Sequence, residues 1–416
     1  MTPTSQKTAL VIGAGIIGTT IAYELQKRGR KVTLIDKGAP GRGASFGNMA
    51  SIAITEFMPV ARPSIWLQIP GWLLHPEGPI RISPRYLPKL MPWFLRFMAA
   101  SLPNRVRRQE ADGAALCARA LNDTQALLSE IGLSDHLSDT GCLSLYASEA
   151  EFKADRERID MLDRLGFDYD VLDQNAIHAL EPEISPAITK AVLLPDNRTV
   201  RDPYQIVERL AQVFEAQGGQ VIKAAVTGFE RGARIEGVRL DDGSVLHADE
   251  VVICAGAFSA RLSKMLDEPI PLETERGYST QIMAPNLALS HSIIWPAKAF
   301  MISPTAGGIR IGGTVEMAGL DAPPNYDRAK ITVKRARAAL PALQIEQTNE
   351  WMGHRPALPD TIPILSASAK TKGVFYATGH GHLGLTNAAT TALLMGQLIS
   401  GHRPDIDLHR YRINRF

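Results

Sequence analysis

Three glycines and one acid near the N terminus have the residue types and spacing of a nucleotide site. Gly13, Gly15 and Gly18 form the pattern GAGIIG, and Asp36 follows them. The first glycine permits a tight turn, the second lets a pyrophosphate approach the backbone, and the third lets a helix pack closely. Free N–H groups at the start of that helix bind phosphate, and Asp36 can accept a hydrogen bond from a ribose hydroxyl. These residues predict a dinucleotide site for FAD or NAD, whereas Asp36 argues against the 2′-phosphate of NADP.

The flanking residues predict the elements that such a site needs. Residues 8–12 form a short apolar run typical of a buried strand, and residues 32–35 predict a second strand that leads into Asp36. Apolar residues at helical spacing follow Gly18. A strand, a glycine turn, a helix and an acid-ended strand in this order are more specific than an isolated glycine motif.

Two other stretches are rich in small residues. Residues 38–51 include Ser45 and Asn48, whose polar groups could hold a phosphate and a ring edge; the alternative is a mobile glycine loop. Residues 379–386, with the sequence GHGHLGLT, predict the opening of a helix that runs to about residue 400. The positive end of that helix would stabilise negative charge on a ligand.

The composition is that of an ordinary soluble protein that is long enough for two domains. The chain has 416 residues, 45% hydrophobic and 21% charged, and its formal charge of +2 gives no argument for nucleic acid binding. Its three cysteines have no metal-binding spacing, so no metal site is predicted, and they suit a reducing cytosol. We expect no signal peptide and no transmembrane helix, hence a cytoplasmic protein.

Residues 57–108 combine aromatic residues, many prolines and a basic end. Trp66, Trp72 and Trp93 lie in this stretch, residues 90–102 are almost entirely apolar, and several arginines follow. Short helices of this composition can lie on a membrane surface, here the inner face of the cell membrane. The alternative is that they pack on a second domain or cover the active site.

The remaining patterns alternate between two kinds of domain. Residues 108–131 and 149–165 each predict one helix, in a block that does not resemble a nucleotide-binding unit. A helix at 202–218 and a hairpin at 237–248 indicate a return to the first domain, whereas a helix at 327–340 belongs to the second. We predict an α/β fold in which a Rossmann-like cofactor-binding domain is interleaved with an α+β substrate (cap) domain. The expected ranges are 1–55, 195–268 and 350–416 for the cofactor domain, and 56–194 and 269–349 for the cap.

The whole chain resembles the D-amino-acid oxidase-like FAD-dependent oxidoreductases, most closely the bacterial D-amino-acid dehydrogenases. The resemblance covers about residues 8 to 400 and is specific for the superfamily rather than for a substrate. It rests on motifs that occur in family order: GAGIIG at 13–18, DK at 36–37, GASFGN at 43–48, VVICAGAFS at 251–259, RGY at 276–278, GGTVE at 312–316, WMGHRPALPD at 351–360 and GHGHLGLT at 379–386.

The resemblance implies FAD as the cofactor and a set of residues that bind it. The first glycine turn would hold the pyrophosphate, Asp36 the AMP ribose, Val226 the adenine half, and residues 381–386 the pyrimidine edge of the flavin. The complete implied set is Gly13, Ala14, Gly15, Ile16, Ile17, Gly18, Asp36, Lys37, Ser45, Asn48, Met49, Ala50, Val226, Ala255, Gly256, Gly353, Gly381, His382, Leu383, Gly384, Leu385 and Thr386.

The resemblance also implies three residues that contact the substrate. Arg355 matches the arginine that binds the substrate carboxylate, for which a guanidinium is well suited; the alternative is a structural salt bridge with a loop acid such as Asp360. Tyr278 matches an active-site aromatic residue that hydrogen-bonds the same carboxylate, with ordinary packing as its alternative. His382 is a candidate for substrate contact, although a lone histidine is more often structural.

The implied reaction is hydride transfer from the α-carbon of a D-amino acid to flavin N5, which gives an imino acid. A quinone or respiratory-chain acceptor would then take the electrons, with oxygen as the alternative. Apolar residues at 49–57 and 294–301 suggest a small or cyclic substrate such as D-alanine, D-proline or hydroxy-D-proline. An NAD-linked dehydrogenase and a non-catalytic FAD-binding subunit are the competing hypotheses.

Overall fold

The computed structural model describes residues 6–75 and 77–416, apart from the side chains of Leu67, Gln68, Pro70, Trp72, Leu73 and Leu74. The aromatic role predicted for Trp72 therefore lies outside the described residues. Within them, a central sheet has the strand order β19-β20-β13-β1-β2-β9, in which all neighbours are parallel except β19 and β20. Its strands are β1 (Thr8–Ile12), β2 (Lys31–Asp36), β9 (Gln220–Lys223), β13 (Glu250–Ile253), β19 (Ile364–Ala367) and β20 (Val374–Thr378).

The two faces of this sheet bury alternate residues of each strand. Ala9 and Val11 of β1 pack with α1 (Ile16–Lys27) and α11 (Ala388–Ile399), and α8 (Pro203–Ala216) packs beside α1. Leu10 and Ile12 face a small antiparallel sheet and α9 (Ser259–Met265). Both faces are covered, which explains why the strands are almost continuously apolar. The small sheet is made of β10 (Val226–Arg231), β11 (Ile235–Leu240) and β12 (Val245–His247).

A second, larger sheet carries most of the intervening sequence. In the described part of the chain its order is β18-β14-β17-β16-β15-β5-β7-β6, with β4 paired to β17. Its strands are β4 (Ile80–Ile82), β5 (Cys142–Tyr146), β6 (Asp170–Asp173), β7 (Lys190–Leu194), β14 (Glu273–Met283), β15 (Ser292–Trp295), β16 (Phe300–Thr305), β17 (Gly308–Met317) and β18 (Gln347–Ala357). A short ladder joins β3 (Ser51–Ile52) to β8 (Arg198–Thr199).

The remaining helices surround the large sheet or bridge the two sheets. α10 packs on one face of β14 and β17, and α4 packs against α11. These helices are α2 (Pro63–Leu74), α3 (Leu87–Ala100), α4 (Pro103–Glu130), α5 (Glu149–Ala154), α6 (Arg156–Leu165), α7 (Gln174–Leu180) and α10 (Asp327–Ala339). The architecture confirms the predicted Rossmann-like sheet with an interleaved α+β cap.

The structure differs from the predictions at two helices and at one domain boundary. Residues 149–165 form two helices because the backbone leaves helical geometry at Asp155, which packs its carboxylate against Tyr146 and Arg158. The helix predicted from residue 108 begins at Pro103, a residue suited to the first helical turn. The predicted domain boundary at residue 350 falls inside β18, which pairs along its length with β14 of the cap sheet.

Candidate active site

In the first glycine turn, backbone segments lie as close to each other as the sequence predicts. Gly13 has φ +107°, and a Cβ on it would lie 2.5 Å from the carbonyl oxygen of Cys254. A Cβ on Gly18 would lie 1.8 Å from the carbonyl oxygen of Gly13. The turn therefore sits directly between the ends of β1 and β13, and α1 starts against it. Only glycine fits these two positions without moving the backbone.

Polar groups around this turn fit the phosphates and ribose of a dinucleotide. Asp36 accepts hydrogen bonds from the N–H groups of Ala14 (2.7 Å) and Gly38 (2.9 Å), which leaves acceptor capacity on both carboxylate oxygens. Ser45 accepts from the N–H of Ile16 at 2.9 Å. The N–H groups of Gly15 and Ile17 meet no acceptor within the described residues, so the helix start remains open to an anion.

The loop at residues 43–50 is fixed by the cap sheet. The Asn48 side chain stabilises the turn in which it lies. Its amide nitrogen donates to the carbonyl of Ser45, and its amide oxygen accepts from the N–H of Ala50. The Arg310 guanidinium donates to the carbonyl of Asn48 at 2.7 Å, and the Ser303 hydroxyl donates to that of Met49 at 2.7 Å. Two strands of the cap sheet, β16 and β17, thus hold the backbone of this loop, which argues against the alternative of a mobile glycine loop. Sequence reasoning missed Arg310, which no motif distinguishes.

The C-terminal glycine segment differs from its prediction. α11 begins at Ala388 rather than near residue 381, and residues 381–387 form successive turns. The Thr386 hydroxyl accepts from the N–H of Ala53 at 3.0 Å, which ties the turns to β3. In this described stretch the N–H groups of Gly384 and Leu385 meet no acceptor, so they can still receive the acceptor edge of a flavin. The dipole of a regular helix contributes less here than predicted, because that helix starts later.

Other predicted cofactor residues lie near the first glycine turn, near Asp36 or near the loop at residues 43–50. Ala255 and Gly256 follow β13 beside the Gly13 turn, and Val226 begins β10 just after Ala224, whose N–H donates to the carbonyl of Asp36 at 2.9 Å. Lys37 places its ammonium 3.9 Å from the ring centroid of Phe258. Gly353 lies under the indole of Trp351, which also contacts Gly47. Sequence reasoning missed Trp351, although it lies in a quoted motif.

Arg355 extends over β14 on the side of the sheet that faces the loop at residues 43–50. It pairs with Glu275 in the β14–β18 ladder, and a Cβ on Gly277 would lie 2.5 Å from its guanidinium carbon. Ser279, on the same face, donates to the carbonyl of Gly47 at 3.0 Å. Burial lowers the pKa of Arg355, and Glu275 acts in the opposite direction.

The alternative role considered for Arg355, a structural salt bridge with Asp360, is not present in the structure. Asp360 binds Arg415, at 2.7 Å between Oδ2 and Nε, and not Arg355. Within the described residues, the only hydrogen bond of the Arg355 guanidinium is a long one, 3.4 Å to the carbonyl of Thr314. The guanidinium therefore keeps donors free for an anionic ligand.

The substrate-binding role predicted for Tyr278 is wrong in this geometry. Side chains alternate along a strand, so Tyr278 projects from the face opposite to Gly277 and Arg355. Its hydroxyl donates to Glu316 at 2.5 Å and accepts from the N–H of Asn325 at 3.0 Å. Burial raises its pKa to about 12, with Glu316 acting in the same direction. Tyr278 therefore packs on the face of the large sheet opposite to Arg355.

His382 lies at the edge of a pocket next to Arg355. Its Nε2 is 2.9 Å from the carbonyl oxygen of Glu56, which links the C-terminal turns to the start of the cap. The pocket is also lined by Glu275, Trp93 and Phe97. Trp93 donates its indole N–H to the carbonyl of Ala357 at 3.3 Å, so this part of the aromatic segment packs on the cap sheet. Sequence reasoning missed Glu275.

A family profile described as "FAD dependent oxidoreductase" matches residues 8–398. The chain belongs to this family. It is 33% identical to a D-amino-acid oxidase of Bradyrhizobium diazoefficiens and 30% identical to a D-amino acid dehydrogenase of Xanthobacter autotrophicus, each over 98% of both chains. Its cofactor is FAD, and the unpaired N–H groups and glycine approaches described above fit it.

Solved structures confirm the fold of this FAD-dependent oxidoreductase. Glycine oxidase from Geobacillus kaustophilus is similar with a TM-score of 0.77 at 20% identity, over 99% of this chain and 100% of that one. The L-proline dehydrogenase from P. horikoshii gives a TM-score of 0.75 at 19% identity, over 99% and 98%.

Adding one methyl group under Arg355 should displace its guanidinium. We expect Gly277→Ala to raise the substrate KM by roughly 10- to 100-fold, because an error of about 1 Å in positioning has effects of that size. FAD content should stay unchanged. Steady-state kinetics with the absorbance spectrum of the purified protein measures both, and a normal KM would show that the guanidinium does not depend on this close approach.

Proposed function

We propose that the protein dehydrogenates a D-amino acid, with FAD as the hydride acceptor and a quinone or respiratory chain as the final electron acceptor. One observation carries the proposal: the Arg355 guanidinium lies over Gly277 in the cleft, with no acidic partner within hydrogen-bonding distance among the described residues. A guanidinium with free donors is suited to bind a carboxylate through two parallel bonds.

The residues of the chain then have defined tasks in the reaction. Arg355 binds the substrate carboxylate and thereby orients the α-carbon. Its positive charge favours loss of the proton from the nearby ammonium group, so that no dedicated base is required. Trp93 and Phe97 close the cleft and reduce the access of water. FAD supplies the oxidising centre, and the imino acid product hydrolyses after release.

The electron acceptor distinguishes the two functions suggested by the relatives, one named an oxidase and the other a dehydrogenase. The proposal is tested by mixing the purified yellow protein anaerobically with D-amino acids, L-amino acids and N-methyl amines. We expect bleaching by D-amino acids alone, slow recovery in air and fast recovery with a soluble quinone. Fast recovery in air would instead indicate an oxidase, and bleaching by L-amino acids alone would contradict the proposed stereochemistry.

A membrane surface is the proposed location of this electron transfer. Within the described residues no helix is both long and apolar enough to cross a bilayer. α3 nevertheless exposes Leu87, Met91 and Leu95, which are four residues apart and form one stripe, with Leu95 61% exposed. Exposed Arg96 follows Leu95 in the sequence, and exposed Arg105 lies in the first turn of the next helix, α4. An apolar stripe flanked by cations suits an anionic bilayer surface.

Replacing Leu95 by glutamate should weaken binding to anionic vesicles. We expect a reduction of roughly 10- to 150-fold, because removing one buried leucine from an interface costs about 1.5–3 kcal/mol. Co-sedimentation with vesicles of phosphatidylglycerol measures it. Val171→Glu is the matched control, since Val171 is 51% exposed on the distant strand β6. Equal binding of both variants and the parent protein would contradict a membrane role for α3.

A further inference from the structure

One acidic side chain in the pocket beside Arg355 has no task in the reaction described above. Glu275 lies on β14 directly opposite Arg355, and it lines the pocket together with Phe57, Trp93 and Phe97. Ala357, which follows Arg355 on the same face of β18, forms another part of the lining. The pocket is thus one step along the sheet from the guanidinium.

The neighbouring carboxylates are all held by protein groups, whereas Glu275 is not. Glu273 accepts from the Tyr86 hydroxyl at 2.8 Å, Glu316 from Tyr278 at 2.5 Å, and Glu56 from Arg158 at 3.3 Å. Among the described residues no hydrogen bond or ion pair reaches the carboxylate of Glu275, which is half-buried. The charge of Arg355, directly opposite on β18, acts on Glu275, but it makes no hydrogen bond to that carboxylate. The half-buried carboxylate therefore keeps acceptors free for a cationic ligand.

The walls of the pocket favour the same kind of ligand. Three aromatic side chains, Phe57, Trp93 and Phe97, line the same pocket as Glu275. Aromatic faces attract ammonium and guanidinium groups, and more strongly where water is reduced. The alkyl part of a long side chain would meanwhile bury apolar surface against the rings.

We propose that Glu275 determines specificity for a D-amino acid whose side chain ends in a guanidinium or ammonium group. The proposal rests on the proposed function, since Arg355 must first bind the α-carboxylate. The pocket then receives the side chain, and Glu275 pairs with its cation. The small or cyclic substrate indicated by the sequence is the competing prediction.

The test compares two substrates of the same shape that differ in charge. D-Arginine and D-citrulline are given to the holoenzyme and to Glu275→Gln, and kcat/KM is measured with a dye acceptor. We expect the parent enzyme to prefer D-arginine by roughly 10- to 100-fold, the range of a charge-assisted hydrogen bond. In Glu275→Gln the ratio should approach one, with D-citrulline changed by less than about threefold. Glu273→Gln, whose carboxylate binds Tyr86, serves as the control and should keep the preference.

Several results would overturn the inference, and they differ from failure of the proposed function. Equal use of both substrates by the parent enzyme would refute it without any variant. An equal loss for both substrates in Glu275→Gln would instead place Glu275 at the α-ammonium group or in a positioning role. Preference for D-alanine or D-proline would overturn the inference and leave the D-amino acid reaction intact. If no D-amino acid reduces the flavin, the proposed function itself fails and the inference falls with it.

Discussion

Replacing Arg355 by alanine is expected to lower kcat/KM by roughly 30- to 3,000-fold, because truncating one partner of an enclosed ion pair costs about 2–5 kcal/mol. The loss should appear mainly in KM, since the carboxylate is bound in both the ground state and the transition state. FAD should remain bound, because Arg355 makes no contact with the first glycine turn. Kinetics with the best D-amino acid and the flavin spectrum provide the two readouts.

A matched arginine separates this effect from a general loss of charge. Arg403 is exposed and lies beyond α11, outside the cleft. Arg403→Ala should leave kcat/KM within about twofold of the parent. Arg355→Lys should recover only part of the activity, because an ammonium cannot form two parallel bonds to a carboxylate. Unchanged kinetics in Arg355→Ala would exclude this residue as the carboxylate-binding group.

Gly18→Ala is the second change with a large expected effect, a marked decrease in the FAD that the purified protein retains. The new methyl group would lie 1.8 Å from the carbonyl oxygen of Gly13, closer than any real contact allows. The start of α1 must then move away from the turn, and the pyrophosphate loses the N–H groups that bind it. Overpacking costs typically about 1–3 kcal/mol, so the affinity for FAD should fall roughly fivefold to 150-fold.

The measurement is the ratio of flavin to protein absorbance after purification, followed by titration with FAD. Gly228→Ala is the control, since a Cβ at Gly228 would meet its nearest neighbour, the Cβ of Arg239, at an ordinary 3.8 Å. This variant should purify with a full complement of FAD. A fully yellow Gly18→Ala protein would mean that the turn can relax without moving the phosphate-binding groups.

Much of the fold could be predicted because the motifs that specify single elements agree with the spacing of the apolar residues that those elements bury. β1 and β2 pair in parallel with Gly13 at their carboxyl ends, as the motif requires. The Asp-Gly turn joins β11 to β12 as an antiparallel hairpin. α8 and α10 occupy nearly their predicted ranges, because their apolar residues recur at helical spacing and bury one face.

The site was predictable only in part, since its pieces come from distant segments. The motif singled out Arg355 as a candidate for carboxylate binding, but its free donors depend on the ion pair that Arg415 forms with Asp360. Tyr278 was misplaced because the motif gives the residue and not the face of the strand from which it projects. Register with β18 decides that face, and a shift by one residue would reverse it.

The sequence by itself determined the nucleotide turn, the order of the elements and the cofactor class, because these follow from spacing along a short stretch of chain. The tertiary structure alone decided which carboxylates accept a hydrogen bond from another side chain and which one does not. Glu273, Glu275 and Glu316 are indistinguishable by residue type, yet Tyr86 and Tyr278 reach two of them and leave Glu275 in the pocket. Hydrogen-bond partners far apart in sequence set the chemistry of a side chain, and no local pattern encodes them.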